Sequence, residues 1–339
     1  MPMLSLPEQL ESAIEHALQS VPASKWKSAA KALSERYRTQ RTGQESSLAR
    51  GADAALGYAA IIMPAAYAQL SGAMAAVSAR IPDWQPTTML DIGSGPGTAL
   101  WAASEQWPSL QRLTAWEREP SFIELGRQLV RGSDKAALKQ TNWHRATIGG
   151  KLPGQIETYD LIVLGHVLNE LPEALRQEII KLAWQHCSGV LLIVEPGTSA
   201  AFPIIKATRA YLLGMEEAHM LAPCAHSLDC PLVDDWCHFP QRLERPSFQR
   251  LAKGGTASWE EGKFSYAALA RFQAHHPIWG RLIHQPHKSK RDVGLTVCSD
   301  QGIVELHVPK SEREAFRRAA DQDWGNIIAS APEPHTTIE

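Results

Sequence analysis

The chain has 339 residues, a hydrophobic fraction of 44% and a formal net charge of −2. This hydrophobic content is enough for a large core and excludes a disordered chain, while the charge, taken alone, argues against a nucleic-acid binder. The first residues have neither the basic-then-apolar pattern of a signal peptide nor the acid-free, Arg-rich pattern of a mitochondrial presequence, and the cysteines number only five. We therefore predict a cytoplasmic protein in a reducing compartment.

Residues 1–80 are predicted to form a helical region. The stretches "LPEQLESAIEHAL" and "SKWKSAAKALSERYR" repeat apolar residues at spacings of three and four, with charges between them. No charge occurs between Asp53 and Arg80, but alanine, glycine and serine dominate that stretch and Pro64 interrupts it, which is unlike a membrane span. We predict a buried, proline-interrupted pair of helices there and no contact with a membrane.

From Thr87 onward, short apolar runs alternate with helical stretches, which is typical of a parallel sheet with helices on both faces. Much later, "VGLTVC" and "GIVELHV" are separated by "SDQG" and predict a β-hairpin. A parallel α/β sheet that ends in an antiparallel hairpin is the strand plan of class I methyltransferases. We therefore predict an α/β, Rossmann-like core at 81–196, an insertion at 197–291, a terminal hairpin at 292–310 that completes the core sheet, and a C-terminal helix and tail at 311–339.

The stretch "LDIGSGPGT" lies where an apolar strand runs into a helix. Its glycines, Gly93, Gly95 and Gly97, let the backbone turn sharply and let a ligand approach the following helix. Glu117, at the end of the next strand, can accept both ribose hydroxyls, and Asp91 suits the ammonium of a methionine tail, directly or through water. These five residues predict a site for S-adenosylmethionine; an NAD or flavin site and a plain glycine-rich turn are the alternatives.

The segment "DLIVLGHVLNEL" occupies the strand end that faces the methyl group in this fold. It contains no motif of the N/D-P-P-Y/F type, which holds an amino nitrogen of the substrate. It also lacks the Pro-Cys pair whose cysteine attacks a pyrimidine ring. His166, Asn169 and Glu170 are candidates for the pocket wall, with helix capping and packing as the alternative. The catalytic residues are therefore unknown, and methyl transfer is left open.

Three cysteines, Cys224, Cys230 and Cys237, lie within one short stretch. Thiolates so close together are costly unless a cation joins them, and in a reducing cell this is usually a metal. The spacing lacks the C-x-x-C pairs of zinc sites, so an iron–sulfur cluster is favoured over zinc or no metal. Cys187 leads into a predicted core strand, whereas Cys298 ends a strand after a basic segment; we choose Cys298 as the fourth ligand.

That basic segment runs from Phe239 to Arg291 and carries a net charge of +7, so that the remainder of the chain carries −9. Such an excess favours contacts with phosphates, although a solvated basic surface is an equal alternative. The neighbouring His226 and His238 are spare ligands if the metal is zinc.

These residues together resemble a known family, the methyltransferase-like assembly proteins of the small ribosomal subunit, which has mitochondrial and bacterial members. The resemblance runs from "ALGYAAIIMPAAYAQL" through "LDIGSGPGTALWAA", "VEPGTSAAF", "APCAHSLDCPL" and "DWCHFPQRLERPSFQRLAKGG" to the hairpin. It implies an S-adenosylmethionine-binding domain and a 4Fe–4S cluster whose four cysteines fall on Cys224, Cys230, Cys237 and Cys298.

The resemblance further implies a protein that acts on the small ribosomal subunit, as an assembly factor, an rRNA methyltransferase or both. Its partners would be small-subunit rRNA and particles, and we expect the free protein to be a monomer. An active methyltransferase on a protein or small-molecule substrate, with no ribosomal role, is the alternative. Positive charge would serve an assembly factor and an RNA methyltransferase equally well, so the sequence does not separate these two roles.

Overall fold

Four helices form the N-terminal part of the chain. The computed structural model describes residues 3–39, 50–154, 156–254, 256–331 and 337–338. Helix α1 buries Leu10, Ile14, Ala17 and Leu18, which share one face because they are spaced three and four apart. The elements of this part are β1 (Met3–Leu4), α1 (Glu8–Gln19), α2 (Ala23–Thr39), α3 (Ala52–Ile61) and α4 (Met63–Ser78).

The charge-free stretch forms α3 and α4, which are separated at Ile62, with a proline in the first turn of α4. Most of their residues are buried, so the prediction of a buried, proline-interrupted pair is confirmed. No single helix among the described residues is long and apolar enough to cross a membrane; α3 and α4 would pass that test only as a pair, and they are bent by 54°.

The central sheet has nine strands, with β7 beside β9 and the others in the order β1-β8-β9-β6-β5-β2-β3-β4. Strands β2 to β6 run parallel, β9 is antiparallel to β6, and β8 is antiparallel to β9. This is the class I methyltransferase strand plan. The elements are β2 (Thr88–Ile92), α5 (Thr98–Gln106), β3 (Arg112–Glu117), α6 (Pro120–Val130), α7 (Ala136–Lys139), β4 (Asn142–Arg145), β5 (Tyr159–Gly165), α8 (Glu173–Gln185), β6 (Cys187–Pro196), α9 (Phe202–Leu213), β7 (His219–Ala222), β8 (Phe239–Glu244), α10 (Ser247–Lys253) and β9 (Trp259–Ala270).

The predicted hairpin exists, but it lies in a second sheet with the strand order β14-β10-β12-β13-β15 and with β11 paired to β12. The prediction that residues 292–310 complete the core sheet is therefore wrong. One face of β12 and β13 packs against a helix and forms a small core of its own, with Val293, Leu295 and Val297 inward. The elements are β10 (Gly280–Leu282), β11 (His287–Lys288), β12 (Asp292–Ser299), β13 (Gly302–Pro309), α11 (Arg313–Ala320), β14 (Ile327–Ile328) and β15 (Thr337–Ile338).

Strands β8 and β9 complete the core sheet instead, so the segment 197–291 is not a self-contained insertion. The buried half of β9, Phe264–Ala270, is rich in alanine, which has low β propensity, and its strand character comes from pairing with β6. What remains outside the two sheets is mainly the loop from Pro223 to His238, which carries three of the cysteines. A helix was predicted within 311–339 and is present as α11, while 332–336 and 339 lie outside the described residues.

Candidate cofactor and metal sites

A cavity of about 150 Å³ opens at the carboxyl ends of β2, β3 and β5, where ligands bind in open α/β sheets. Its wall includes Gly93, Gly95 and Glu117 of the predicted site. It also includes His166 and Glu170 from the segment after β5. The remaining lining residues come mainly from the loops after β3 and β4, together with Tyr58 of α3.

The glycine loop and Glu117 are joined by hydrogen bonds. The Glu117 carboxylate accepts the backbone N–H of Gly95 at 2.9 Å and that of Glu119 at 2.8 Å. Burial raises the pKa of Glu117, and these N–H groups oppose that shift. Gly95 has φ +54°, and the nearest atom to a Cβ at that position would be the Tyr58 hydroxyl, 4.0 Å away. The loop therefore leaves open space beside an oriented carboxylate.

Asp91 and Gly97 do not line this cavity. Asp91 is only 2% exposed, and its Oδ2 has no hydrogen-bond partner among the described residues. Burial, and then the neighbouring Glu117, raise the pKa of Asp91 well above its usual range. Asp91 is thus buried outside the cavity wall, and one of its carboxyl oxygens is left to bond a ligand group or water.

Two carboxyls with raised pKa values lie in or beside the segment after β5. Glu195 at the end of β6 is fully buried and accepts the backbone N–H of Leu168 at 2.7 Å and the amide of Asn169. Asn169 therefore has a structural role, as a partner of Glu195, but it caps no helix, since neither Leu168–Glu170 nor α8 has a side-chain capping bond. Glu170 lines the cavity, and burial raises its pKa to about 7, as it does that of Glu195.

His166 also lines the cavity, with a left-handed backbone at φ 62°. Burial lowers its pKa to about 4, so the ring is neutral at physiological pH. Its Nε2 is buried and has no partner among the described residues. His166 and Glu170 are thus two groups on the cavity wall that can accept or donate a proton.

The sequence reasoning missed the aromatic part of the wall, which comprises Tyr58, Trp116 and Phe122. Tyr58 and Phe122 meet edge to face with their ring centroids 5.2 Å apart. Trp116 directly precedes Glu117, so its position at the end of the same strand could have predicted that it lines the cavity. Tyr58 gave none, because it belongs to a helix whose position against the sheet depends on the tertiary fold.

The four predicted metal ligands converge on a second cavity, of about 30 Å³. Cys224, Cys230 and Cys237 reach it from the loop between β7 and β8, and Cys298 reaches it from β12 of the second sheet. All five cysteines are free of disulfides. Cys187 is buried in a different hydrophobic cluster, at the start of β6. The structure therefore places Cys298, and not Cys187, beside the other three cysteines, and their role as metal ligands stays a prediction.

The neighbouring thiols raise the pKa of Cys237 and Cys298. Burial raises the pKa of Cys298 to about 12, and Cys224 and Cys230 add to the shift. The pKa of Cys237 lies well above its usual range for the same two reasons, burial and the other three thiols. As thiolates these groups would repel one another in an apolar pocket. A cationic partner is therefore needed to hold all four in the thiolate form.

Two buried arginines surround the thiols. Arg209 is 5% exposed and donates from Nη2 to the carbonyls of His226 and Leu228, at 2.9 and 2.6 Å. Arg281 is 3% exposed and donates to the carbonyls of Pro223 and Gly325. The Nε of Arg209 and one Nη of Arg281 have no partner among the described residues. The guanidinium groups thus hold the cysteine loop and keep a donor each for an anionic group.

The two histidines proposed as spare ligands lie in different places. His226 Nε2 is 3.7 Å from the sulfur of Cys298. His238 stacks on Trp236 and meets Trp324, and it does not line the cavity. In the described part of the chain, no three His, Cys, Asp or Glu side chains have the arrangement that one metal ion needs.

Much of the basic segment is used within the protein. Arg281 is buried, and the Arg271 guanidinium lies 4.0 Å from the centre of the Trp184 ring while donating to the carbonyls of Cys187 and Trp184. Arg242 pairs with Glu261, and Arg245 and Lys253 both pair with Glu260. The +7 charge counted along the sequence therefore overstates the charge available to a partner.

The family described as mitochondrial small ribosomal subunit Rsm22 matches residues 52–329. The chain belongs to the Rsm22 family. Human "Ribosome assembly protein METTL17, mitochondrial" is 29% identical over 289 residues, covering 80% of this chain and 61% of that protein. "Rsm22-cox11 tandem protein 2, mitochondrial" of Schizosaccharomyces pombe is 23% identical over 291 residues, covering 71% and 38%. This Rsm22-family chain thus spans less than two thirds of each of these relatives.

Solved structures resemble this Rsm22-family chain only distantly. Magnesium protoporphyrin IX methyltransferase from Synechocystis, with bound S-adenosylmethionine, gives a TM-score of 0.39 at 12% identity, covering 70% of this chain and 90% of that one. Precorrin-6y C5,15-methyltransferase from Geobacter metallireducens gives 0.38 at 16% identity, covering 58% and 85%. The fold assignment therefore rests on the strand order of the central sheet.

Proposed function

We propose that this Rsm22-family protein is an assembly factor of the small ribosomal subunit that binds S-adenosylmethionine in the larger cavity and a 4Fe–4S cluster between its four cysteines. The ribosomal role is supported by the family description and by the name of the human relative. Small-subunit rRNA and its particles are then the partners. The relatives are named mitochondrial, and a cytoplasmic location for this chain stays a prediction.

The observation that carries the proposal is the convergence of four cysteines from two separate parts of the fold on one cavity. A 4Fe–4S cluster takes one thiolate per iron, so its ligands are spread more widely than those of a single ion. When bound, it would link the cysteine loop to β12 and could accept one electron. Zinc is the less favoured alternative, since a single ion needs its donors gathered around one point.

The residues of the larger cavity fit S-adenosylmethionine. Glu117 offers an oriented carboxylate to ribose hydroxyls, and Gly95 leaves the space that a Cβ would take. Trp116 and Phe122 offer apolar surface to a purine ring. The buried, unpartnered oxygen of Asp91 lies outside the cavity wall, so it would reach the ammonium group through water, and the cation would favour the ionised form of the carboxyl. No part of this arrangement requires a pyrophosphate.

An rRNA methyltransferase is the second candidate, and His166 and Glu170 are the observation that favours it. Both lie on the cavity wall, and Glu170, with a pKa of about 7, can accept a proton from an acceptor nitrogen or oxygen near neutral pH. Mass spectrometry of small-subunit RNA from a deletion strain separates the two roles. One methyl mark that disappears on deletion and returns with wild type, but not with a Gly95→Trp variant, establishes the enzyme.

The assembly role is tested by sedimentation of ribosomal particles from the same deletion strain. We expect mature small subunits to fall and precursor particles to accumulate, and the wild-type chain to restore the profile. The protein itself should co-sediment with the precursors and not with mature subunits. An unchanged profile in the deletion strain would contradict the ribosomal role.

A further inference from the structure

We infer that the exposed face of the second sheet binds single-stranded RNA, with two histidines that stack on bases and four adjoining cations that bind phosphates. The inference depends on the proposed ribosomal role only for the choice of RNA as the partner. The stacking pair is His287 and His307, and the cations are Lys288, Lys290, Arg291 and Lys310.

The two histidines lie in one row across the sheet, with a glycine between them. Gly294 of β12 pairs with His287 of β11 on one side and with His307 of β13 on the other. Its neighbours Val293 and Leu295 point into the small core, so the row lies on the outer face. Both histidines are exposed. The row therefore presents imidazole rings to solvent, with no side chain between them.

Packing within the protein does not require a glycine in this row. A Cβ on Gly294 would lie 3.7 Å from the Cβ of His287 and 3.8 Å from the His307 ring, which are ordinary contact distances. The backbone of Gly294 is not in the left-handed region. The missing side chain thus leaves a shallow strip over Gly294, bordered by His287 and the His307 ring, against which a flat, unpaired base can lie.

The four cations lie together at one end of the second sheet, beside this row; we call this end the tip. Lys288, Lys290 and Arg291 lie at the turn from β11 to β12, and the backbone N–H of Lys310 donates to the Arg291 carbonyl at 2.7 Å. All four side chains are exposed, and none forms an ion pair with another described residue. Two acids lie at this end of the sheet: Asp292, which accepts the Ser289 hydroxyl, and Glu312, whose backbone N–H donates to the carbonyl of Pro309. These cations are therefore available, unlike Arg271 or Arg281.

Cations beside exposed rings suit a single strand better than a duplex. Base stacking on aromatic side chains, histidine included, needs unpaired bases, and the flanking cations follow the backbone. A duplex offers the same phosphates but hides its base faces. One further acid on the outer face, Glu305, accepts the Thr296 hydroxyl.

The test uses the purified full chain and a fluorescein-labelled 12-nucleotide oligouridine, with anisotropy measured over a range of salt. The combined change K288Q/K290Q/R291Q/K310Q should reduce the slope of log affinity against log salt by about three, because each phosphate contact on a single strand contributes about 0.7. The control K25Q/K31Q/K151Q/K181Q removes the same charge from exposed positions elsewhere and should leave the slope within one unit of the wild type.

The stacking part is tested by Gly294→Leu, whose side chain would cover the strip. We expect binding about tenfold weaker at an unchanged salt slope, since one stacked base contributes about 1–3 kcal/mol. Gly294→Ala is the matched control; its Cβ fits without covering the rings, and it should bind within about twofold of wild type. Circular dichroism and thermal unfolding of each variant confirm that the second sheet is folded.

The inference is overturned if the charge variant keeps the wild-type salt slope, or if the control set lowers it equally. Equal binding of a 12-base-pair RNA duplex, with no effect of Gly294→Leu, would overturn the stacking. Variant-sensitive binding to phosphatidylserine vesicles without RNA binding would assign the tip to a membrane instead. If oligouridine binds as expected while the deletion strain has normal small subunits, the ribosomal proposal fails and the RNA surface stands.

Discussion

Replacing Glu117 with alanine should weaken S-adenosylmethionine binding and loosen the glycine loop together. The carboxylate lines the larger cavity and also accepts two backbone N–H groups, those of Gly95 and Glu119. Alanine therefore removes the ribose acceptor and leaves both N–H groups without their partner. These two effects are measured separately, by calorimetry with the ligand and by unfolding without it.

The expected size follows from the bonds that are lost. A hydrogen bond to a charged group contributes about 1.5–3 kcal/mol, so loss of the ribose contact should raise the Kd by about 10- to 150-fold. The unpartnered N–H groups should lower the free energy of unfolding by about 1–3 kcal/mol, with the Gly95 group costing less because the open cavity admits water.

Glu117→Gln keeps the shape of the side chain but only one acceptor oxygen, and the two backbone N–H groups bond to different oxygens of the carboxylate. One of these N–H groups would therefore face the amide NH2, so both the affinity for S-adenosylmethionine and the free energy of unfolding should lie between those of wild type and the alanine variant. Glu173→Gln, an exposed acid at the start of α8, is the control and should change neither value. Wild-type affinity in Glu117→Ala would refute the assignment of the cavity, and NAD binding of similar strength would favour a dinucleotide site.

Three further predictions concern other parts of the fold. Cys237→Ser should abolish the brown colour of anaerobically purified protein and make the cysteine loop sensitive to protease, while Cys187→Ser should do neither; equal colour in both variants would contradict the ligand set. Because burial holds the pKa of Glu170 at about 7, the cavity gains negative charge as pH rises through 7, so calorimetry should show the cationic ligand binding several-fold tighter at pH 8 than at pH 6. Glu170→Gln should flatten that dependence, and an equally steep profile would exclude Glu170 as its cause. Arg271→Gln should lower the free energy of unfolding in urea by about 2–3 kcal/mol through loss of the Trp184 stack and two carbonyl bonds, without changing RNA binding.

The centre of the parallel sheet could be predicted because β5 and β6 are buried on both faces and appear as continuous Val, Ile and Leu runs, whereas β4, with the sequence NWHR, gave no such signal. The antiparallel strand β9 could not, since its buried half is rich in alanine and takes its conformation from pairing with β6. The one-sided alternation of Val293, Leu295 and Val297 correctly predicted a hairpin. The alternation of buried and exposed residues does not indicate which sheet a hairpin joins, so the prediction placed this hairpin in the wrong sheet.

The sites show the same division between local and tertiary information. Glu117 and Gly95 come from short segments at strand ends, where the edge of the sheet brings them together. Tyr58 could not be found, because its helix reaches the cavity only through tertiary packing. A charge count along the chain could not reveal that Arg271 and Arg281 are held by aromatic and carbonyl partners. Burial, which no local pattern encodes, decides which charges a partner can reach.

Iron and acid-labile sulfide in protein purified anaerobically test most directly whether the four converging cysteines hold a cluster. We expect about four irons and four sulfides per chain in wild type and in Cys187→Ser, with a reducible visible absorption. Cys298→Ser should lose most of the iron, although its cysteine lies in the other sheet, 61 residues after Cys237. Stoichiometric zinc without iron in the wild type, or full iron in Cys298→Ser, would contradict the assignment.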